Sequence, residues 1–273
     1  LIIKKSLGKD IVILGSIFQS SPLIILALKD SRIKNIHDIK NKKLMMTSEQ
    51  YEAAPLQSML ISENISLKSI NLIDHSFNVD DLINKKTDFM MAYTTNEPYL
   101  LKEKGYESQI FHLKDYGFNF YEEILFTSKE FANNNPKLVK DFYDASISGW
   151  YYAFENIDET SQLIIKNYNV QNKSLDHLIY EANELKKMSH FGSSEYGKFK
   201  PEILNQIVQT YNLLDLSKTS LNIKEFIYPD ALYKDNNINL LVLVKIFIGV
   251  FILLGFFYYY NRKLSQLDRK SVV

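Results

Sequence analysis

Short apolar runs alternate with helical patterns along the first half of the chain. Two runs are continuously apolar over strand length, which is typical of strands covered on both faces, and four more are strand candidates. The six predicted strands are 10–17, 23–28, 43–47, 70–75, 88–94 and 122–128. Between them, apolar residues recur at helical spacing, as in Leu56, Met59 and Leu60. This alternation predicts an α/β fold with a mainly parallel sheet and helices on its faces.

From residue 136 onward the pattern is helical. Pro136 suits the first turn of a helix. The apolar positions that follow it alternate in spacings of four and three: Leu138, Phe142, Ala145, Gly149 and Tyr152. Three more helices are predicted at 158–168, 174–189 and 201–214. An α/β region that finishes on helices is the layout of a two-lobed binding protein, whose ligand lies beyond the carboxyl ends of strands.

Residues 238–260 differ from the rest of the chain. They read INLLVLVKIFIGVFILLGFFYYY, and Lys245 is their only charged residue. A helix of this length would be about 34 Å long, enough for a bilayer core of about 30 Å. The segment is therefore predicted to be a transmembrane helix. It would separate a domain at 1–237 from a short stub at 261–273.

Charge is balanced over the chain but unevenly placed. There are 32 Lys and Arg residues and 32 Asp and Glu residues, which argues against a chain-wide grip on nucleic acid. Beyond residue 239 lie five basic residues and one acidic residue, so residues 1–239 carry a net charge of −4. The positive-inside rule then predicts a single-pass protein of the inner membrane, with a periplasmic domain and a cytoplasmic tail. Since the chain opens on Leu1, an export signal is expected upstream.

The sequence predicts no catalytic site, no cofactor and no metal site. The chain has no cysteine, which excludes thiol nucleophiles, disulfides and thiolate metal ligands. Its five histidines show no pair at metal-ligand spacing, and the usual phosphate-binding and nucleophile motifs do not occur. Glu122 and Glu123 are adjacent in a predicted strand, so their carboxylates point to opposite faces and make a poor acid/base pair.

Two helix starts after strands are candidate ligand-binding sites. Thr47 and Ser48 follow the strand at 43–47, and Gln50 completes the spacing of a capping box. Asn96 and Glu97 follow the strand at 88–94 and precede a proline. Simple helix capping is the alternative at both places. Both places could hold an anion or the polar edge of a ligand.

Aromatic residues near these strand ends are candidates for holding a planar heterocycle. Phe18 lies at the turn after the first predicted strand, and Gln19 beside it is a further candidate ligand contact. Tyr93 lies at the end of the strand at 88–94. Tyr51 is a weaker candidate near the Thr47 turn. Most of the other aromatic residues are expected in the core, including Trp150, the single tryptophan.

Three segments resemble one family of periplasmic binding proteins. Gln19-Ser20-Ser21-Pro22 and Asp38-Ile39-Lys40-Asn41-Lys42 match an interlobe turn and a segment before a strand, respectively. The string DFMMAYTTNEPYLL and the string SGWYYAFENIDETSQLI are similar to two later segments of the same family. This family binds nitrate, taurine, alkanesulfonates and thiamine pyrimidine precursors. The resemblance implies that Asn96 and Glu97 hydrogen-bond the edge of an aminopyrimidine-like ligand. The resemblance covers about residues 1–235 and implies a type II binding-protein fold, with lobe II at about 23–115 and lobe I at 1–22 and 116–230.

The chain departs from the family pattern in two ways. Members carry a further first portion of one lobe, with a glycine-rich ligand loop, which this sequence lacks. Eukaryotic relatives that form the pyrimidine use a cysteine-rich motif, so their activity is not implied for a chain without cysteine.

Two functions fit the resemblance together with the predicted membrane span. The main hypothesis is the sensing domain of a membrane-bound signalling protein, such as a sensor histidine kinase or a diguanylate cyclase, which could dimerise through the transmembrane helix. The alternative is a membrane-tethered substrate-binding component of an ABC importer, with a permease as its partner. Either would bind a small nitrogenous or anionic nutrient by closing two lobes.

Overall fold

The computed structural model describes residues 1–51, 53–117, 119–217, 221–233, 251 and 253–257. The chain divides into one compact unit at 1–233 and a second at 234–273. The predicted membrane span at 238–260 lies outside the described residues, apart from the helical residues 251 and 253–257. Among the described residues, no helix is both long enough and apolar enough to cross a membrane.

The larger of two sheets in the first unit, here called the large sheet, has five strands in the order β4-β3-β5-β2-β6. β3 pairs in parallel with β4 and β5, whereas β2 pairs antiparallel with β5 and β6. The sheet is therefore mixed, and the prediction of a mainly parallel sheet holds only for its β4-β3-β5 half. The strands are β2 (Leu23–Leu28), β3 (Lys43–Met46), β4 (Asn71–Asp74), β5 (Phe89–Tyr93) and β6 (Ser108–His112).

Helices cover both faces of the large sheet. α2 (Ser48–Tyr51) and α3 (Ala54–Ser62) follow β3, and α3 packs its buried side chains into one apolar cluster with β2, β3 and β5. α4 (Asp80–Ile83) and α5 (Glu97–Glu103) contribute Leu82 and Leu101 to a second cluster on the other face. Every side chain of β2 but the last is buried because of this double cover, as its apolar run predicts.

The small sheet joins β1 (Ile11–Phe18) to β7 (Glu122–Ser128) in antiparallel register, with an irregularity between Ile13 and Gly15. A side chain at position 15 would place its Cβ 3.0 Å from the Tyr143 ring and 3.1 Å from the Gly197 carbonyl oxygen. Only glycine lets α7 (Pro136–Glu155) lie this close to β1. β1 continues into β2 through residues 19–22, so this turn connects the two sheets.

The remaining helices pack around the small sheet and the end of α7. Phe199, Leu204 and Ile207 share a core with β1 and α7. A satellite cluster joins Ile17 and Phe18 to Phe154 at the end of α7. These helices are α1 (Ile2–Ser6), α6 (Lys129–Asn134), α8 (Ile157–Asn167), α9 (Leu175–Met188), α10 (Pro201–Leu213) and α11 (Ile223–Phe226).

Candidate ligand-binding site

The carboxyl ends of β3 and β5 lie at the same edge of the large sheet, because the two strands are parallel neighbours. Thr47 follows β3 directly, and Thr94 follows β5. The turn at 19–22 enters β2 at this edge as well, since β2 runs antiparallel to β5. The edge therefore faces the small sheet and its helices, and it is where ligands bind in open α/β sheets.

The predicted capping box at Thr47 is formed. The Thr47 backbone N–H donates to Gln50 Oε1 over 2.8 Å, and the Gln50 N–H donates to Thr47 Oγ1 over 3.2 Å. The pKa of the Glu49 carboxyl is lowered by hydrogen bonds from its own backbone N–H and from the Thr47 and Ser48 hydroxyls. The donors of this turn therefore already bind the Glu49 carboxylate of the same turn. The Tyr51 side chain lies outside the described residues.

Glu97 and Asn96 pair with each other at the start of α5. Glu97 Oε1 accepts from Asn96 Nδ2 over 2.7 Å, and Glu97 Oε2 accepts from the Tyr93 backbone N–H over 2.8 Å. Only 8% of Glu97 is exposed. Both carboxylate oxygens therefore have partners within the chain, so a ligand would have to compete for them. The predicted contact of these two residues with a ligand stays a prediction.

Phe18 and Gln19 support the connection between the sheets. Phe18 is buried and meets the Trp150 ring edge-on, with 5.6 Å between ring centroids. Gln19 is also buried; its side-chain amide donates to the Ser16 and Lys198 carbonyl oxygens, and its backbone N–H donates to the Met188 carbonyl oxygen. These contacts tie the turn at 19–22 to the end of α9.

A cavity of about 340 Å³ lies where the large sheet meets the small sheet and α10. Leu23, Ala53 and Pro55 line it from the large-sheet side, and Glu122 and Tyr211 line it from the other side. Its volume is within the range of pockets that bind small molecules, about 300–1,000 Å³. None of the eight residues predicted to bind a ligand is among its lining residues, all of which are described. We call it the central cavity.

Glu122 contributes the one charged side chain that lines the central cavity. Burial raises the pKa of its carboxyl, while a hydrogen bond from the Ser21 hydroxyl lowers it in part. Glu122 in turn helps to raise the pKa of Tyr93 and of Tyr211, where burial is the larger cause in both. Tyr93, which is 47% exposed, is thus a predicted ligand-binding residue whose ionisation the Glu122 carboxylate influences.

Glu122 is not among the residues predicted from the sequence to bind a ligand, because the adjacent Glu122 and Glu123 were considered only as an acid/base pair. The two residues differ in burial, as alternation along a strand predicts: Glu122 is half-buried and Glu123 is exposed. Only the structure shows that Glu122 begins β7 directly opposite Phe18 at the end of β1.

A larger cavity of about 550 Å³ lies at the opposite edge of the large sheet. It is lined by residues of the loops that follow β2 and precede β3 and β5, such as Arg32, Lys42 and Asp88. We place the ligand in the central cavity instead, because that cavity lies at the carboxyl ends of β3 and β5 and between two separately packed parts of the chain.

Comparison with protein-family models shows to which family the chain belongs. A family model described as NMT1/THI5 like matches residues 1–160, which is more than half of the chain. The chain belongs to the NMT1/THI5-like family. Among curated proteins, this family member is similar to the formylaminopyrimidine-binding protein of Halalkalibacterium halodurans, with 24% identity over 132 residues. The match spans 47% of this chain and 39% of that protein's length.

Solved structures place this NMT1/THI5-like chain in the periplasmic-binding-protein fold. The periplasmic aliphatic sulphonate binding protein SsuA from Escherichia coli matches with a TM-score of 0.61 and 13% identity, over 87% of this chain and 75% of that one. The ligand-binding component of an ABC-type import system from Staphylococcus aureus matches with a TM-score of 0.53 and 15% identity, over 86% and 77%. At these identities the likeness concerns the fold, and it confirms the predicted α/β binding-protein class.

The predicted localisation is wrong. The sequence was interpreted as a single-pass protein of the inner membrane, whereas the relatives that share its fold include periplasmic binding proteins. No helix in the described part of the chain could span a bilayer, and the family comparison gives no support to a fused transmembrane helix. The homodimer predicted through that helix is likewise unsupported.

Proposed function

We propose that the chain is the substrate-binding component of an ABC importer and that its ligand is a small aminopyrimidine-like heterocycle. Of the two functions considered from the sequence, the comparisons favour this one over the sensing domain. Its family, its binding-protein fold and its similarity to a formylaminopyrimidine-binding protein support the proposal. A permease would be its partner.

The single observation that carries the ligand class is the charge of the central cavity. Among its lining residues Glu122 is the only charged side chain, and no Lys or Arg is present. A sulfonate or a nitrate would meet the Glu122 carboxyl group and mostly apolar side chains, with no Lys or Arg side chain to pair with. An aminopyrimidine offers an amino donor and a ring nitrogen acceptor. A carboxyl group that burial keeps more readily protonated can satisfy both, since it accepts with one oxygen and donates with the other.

We further propose that the two sheets mark two lobes, at about 23–115 and at 1–22 with 116–230, which close on the ligand. Residues 19–22 and 113–121 connect the sheets and would be the hinge. Tyr93 belongs to the first of these lobes, and its pKa is raised in part by Glu122, which belongs to the second. Thr47, Ser48, Tyr51, Asn96 and Glu97 belong to the large-sheet part, and we keep them as candidate contacts in the closed state.

A thermal-shift series tests the proposed ligand class. The unfolding temperature of the chain is measured with formylaminopyrimidine, with an alkanesulfonate and with nitrate at equal ionic strength. We expect stabilisation by the pyrimidine alone, because only a bound ligand stabilises the folded state by mass action. Stabilisation by the sulfonate or nitrate, and not by the pyrimidine, would overturn the assignment.

Two variants of one residue sharpen the test. Glu122→Gln keeps one donor and one acceptor of similar shape and is expected to retain pyrimidine-dependent stabilisation. Glu122→Leu removes both and is expected to abolish it. If Glu122→Leu responds to the pyrimidine as the wild type does, the central cavity is not the binding site.

A further inference from the structure

A second, smaller cavity of about 220 Å³ lies beside the turn at 19–22, and we call it the polar cavity. Three parts of the chain meet there. Ser20 belongs to the turn. His112 is the last residue of β6, and Lys114 lies two residues after it. Lys187 lies near the end of α9, and His190 lies two residues after that helix. It shares no lining residue with the central cavity.

Nitrogen-bearing side chains dominate the polar cavity. Two lysines and two histidines line it, against the single carboxylate of Glu184. That carboxylate already pairs with Lys187. In the part of the chain that the structure describes, no carboxylate pairs with Lys114. His190 pairs with Glu195, so Lys114 supplies the positive charge at the cavity that no described carboxylate neutralises.

Ser20 is a second and independent sign of a ligand. It is 4% exposed, and within the described residues its hydroxyl has no hydrogen-bond partner. The other hydroxyls at the cavity are used: Thr94 Oγ1 donates to the Pro22 carbonyl oxygen, and Ser21 Oγ accepts from the Leu23 N–H. The Ser20 hydroxyl is therefore a free donor at the wall of the cavity, and a bound group could accept a hydrogen bond from it.

The size of the cavity limits what that group can be. A volume of 220 Å³ is below the pockets of about 300 Å³ and more that take drug-sized ligands. It has room for a tetrahedral oxyanion with a few waters, at about 30 Å³ for each water. Lysine ammonium groups and a serine hydroxyl are suitable donors to such an anion. Burial lowers the pKa of His112, and an anion beside the ring would raise it again.

We propose that the polar cavity binds a small tetrahedral oxyanion, sulfate or phosphate, between Lys114 and Lys187. The anion would link the large sheet to α9 next to the connecting turn. Two direct hydrogen bonds already join these parts, from the Gln19 N–H to the Met188 carbonyl oxygen over 2.9 Å and from the Tyr180 hydroxyl to the Thr94 carbonyl oxygen over 3.0 Å. The bound anion therefore stiffens the connection between the two sheets.

Calorimetric titration of the full chain with sodium sulfate, with sodium phosphate and with sodium chloride at matched ionic strength tests the proposal. We expect saturable binding of sulfate, phosphate or both, and none of chloride. Lys114→Met and Ser20→Ala should each weaken it about tenfold. Lys166→Met, which removes an exposed lysine of α8, is the matched control and should bind as the wild type does.

Two results would overturn the proposal. One is the absence of saturable sulfate or phosphate binding, and the other is equal affinity in the Lys114→Met and Lys166→Met variants. Glu122→Leu separates this site from the central cavity: it should bind the oxyanion normally whether or not it loses the pyrimidine. Loss of oxyanion binding in Glu122→Leu would mean that the anion occupies the central cavity, which also contradicts the proposal.

Discussion

The Glu97 carboxylate holds the end of β5 to the start of α5. Its two oxygens accept from the Tyr93 backbone N–H and from the Asn96 amide, and the residue is almost fully buried. Leaving a buried donor without an acceptor costs about 1–3 kcal/mol, more than the hydrogen bond itself contributes. The residue therefore stabilises the end of β5 at Tyr93.

Replacing Glu97 by alanine should lower the free energy of unfolding by about 1–3 kcal/mol, since the Tyr93 N–H loses its acceptor. Chemical denaturation measures the change. Glu130→Ala, which removes an exposed carboxylate of α6, should change stability by less than about 0.5 kcal/mol. Equal stability of the two variants would show that Glu97 has no structural role and would favour its direct contact with a ligand.

His177 makes the contact between α9 and α5 sensitive to pH. Its ring stacks on Tyr99 with 4.4 Å between centroids, and its Nε2 is buried without a hydrogen-bond partner in the described chain. Burial lowers the pKa of His177, and the Lys173 ammonium lowers it further. Three carboxylates, those of Glu181, Glu103 and Glu97, act in the opposite direction but more weakly.

The folded chain should therefore lose stability as the pH falls through about 6.5, where an unfolded histidine takes up its proton and the buried ring does not. His177→Phe keeps the stacked ring without a titrating group and should flatten the slope of unfolding free energy against pH. Tyr99→Phe leaves the imidazole in place and should keep the slope. An unchanged slope in His177→Phe contradicts this assignment.

At the scale of elements, α7 shows what a periodic pattern can and cannot predict. The heptad-like series Leu138, Phe142, Ala145, Gly149 and Tyr152 correctly indicates a helix, but every residue of it is exposed. The buried side chains of α7 are instead those of Val139, Tyr143 and Phe154. Both faces of this helix carry apolar residues, so spacing alone cannot tell which of them meets the core.

Truncation on the two faces should therefore have different costs. Val139→Ala removes two buried methyl groups and should destabilise the chain by about 1–3 kcal/mol. Leu138→Ala, one residue earlier, removes a side chain that is 57% exposed and should cost less than about 0.5 kcal/mol. Thermal unfolding of both variants measures the difference. A larger cost for Leu138→Ala would mean that the exposed face is packed in solution.

The strands show a similar division between what was predictable and what was not. The predicted bounds of β2 and β7 agree with the structure, while β6 was missed because its sequence, SQIFH, is half polar and lies at an edge of the sheet. The antiparallel direction of β2 relative to β5 was also not predicted. An apolar run shows that both faces of a strand are covered, but its direction depends on pairing with β5, which lies more than sixty residues away.

At the scale of the whole molecule, the central cavity joins segments that are distant in sequence. Leu23, Ala53, Glu122 and Tyr211 come from four elements or loops that only the fold brings together. The resemblance to binding proteins predicted the fold class and the edge of the sheet where the cavity lies. It could not predict Glu122, because a carboxylate gains its character from burial and from its neighbours, which local sequence does not show.

Localisation was the prediction at this scale that was wrong. An apolar segment and an excess of basic residues predicted a membrane anchor, but the solved structures that share the fold include periplasmic binding proteins, and no helix among the described residues could span a bilayer. The binding role that we propose rests on the unit at 1–233, which contains both sheets and the central cavity.

Isothermal titration of formylaminopyrimidine into the chain and into Glu122→Leu tests the central claim most directly. The account predicts one binding site in the wild type and an affinity about tenfold or more weaker in Glu122→Leu, a loss of about 1.4 kcal/mol or more. Glu123→Leu, which changes the neighbouring exposed carboxylate, serves as the control and should bind like the wild type. Equal pyrimidine affinity in Glu122→Leu and the wild type, or no binding by either, would contradict the account.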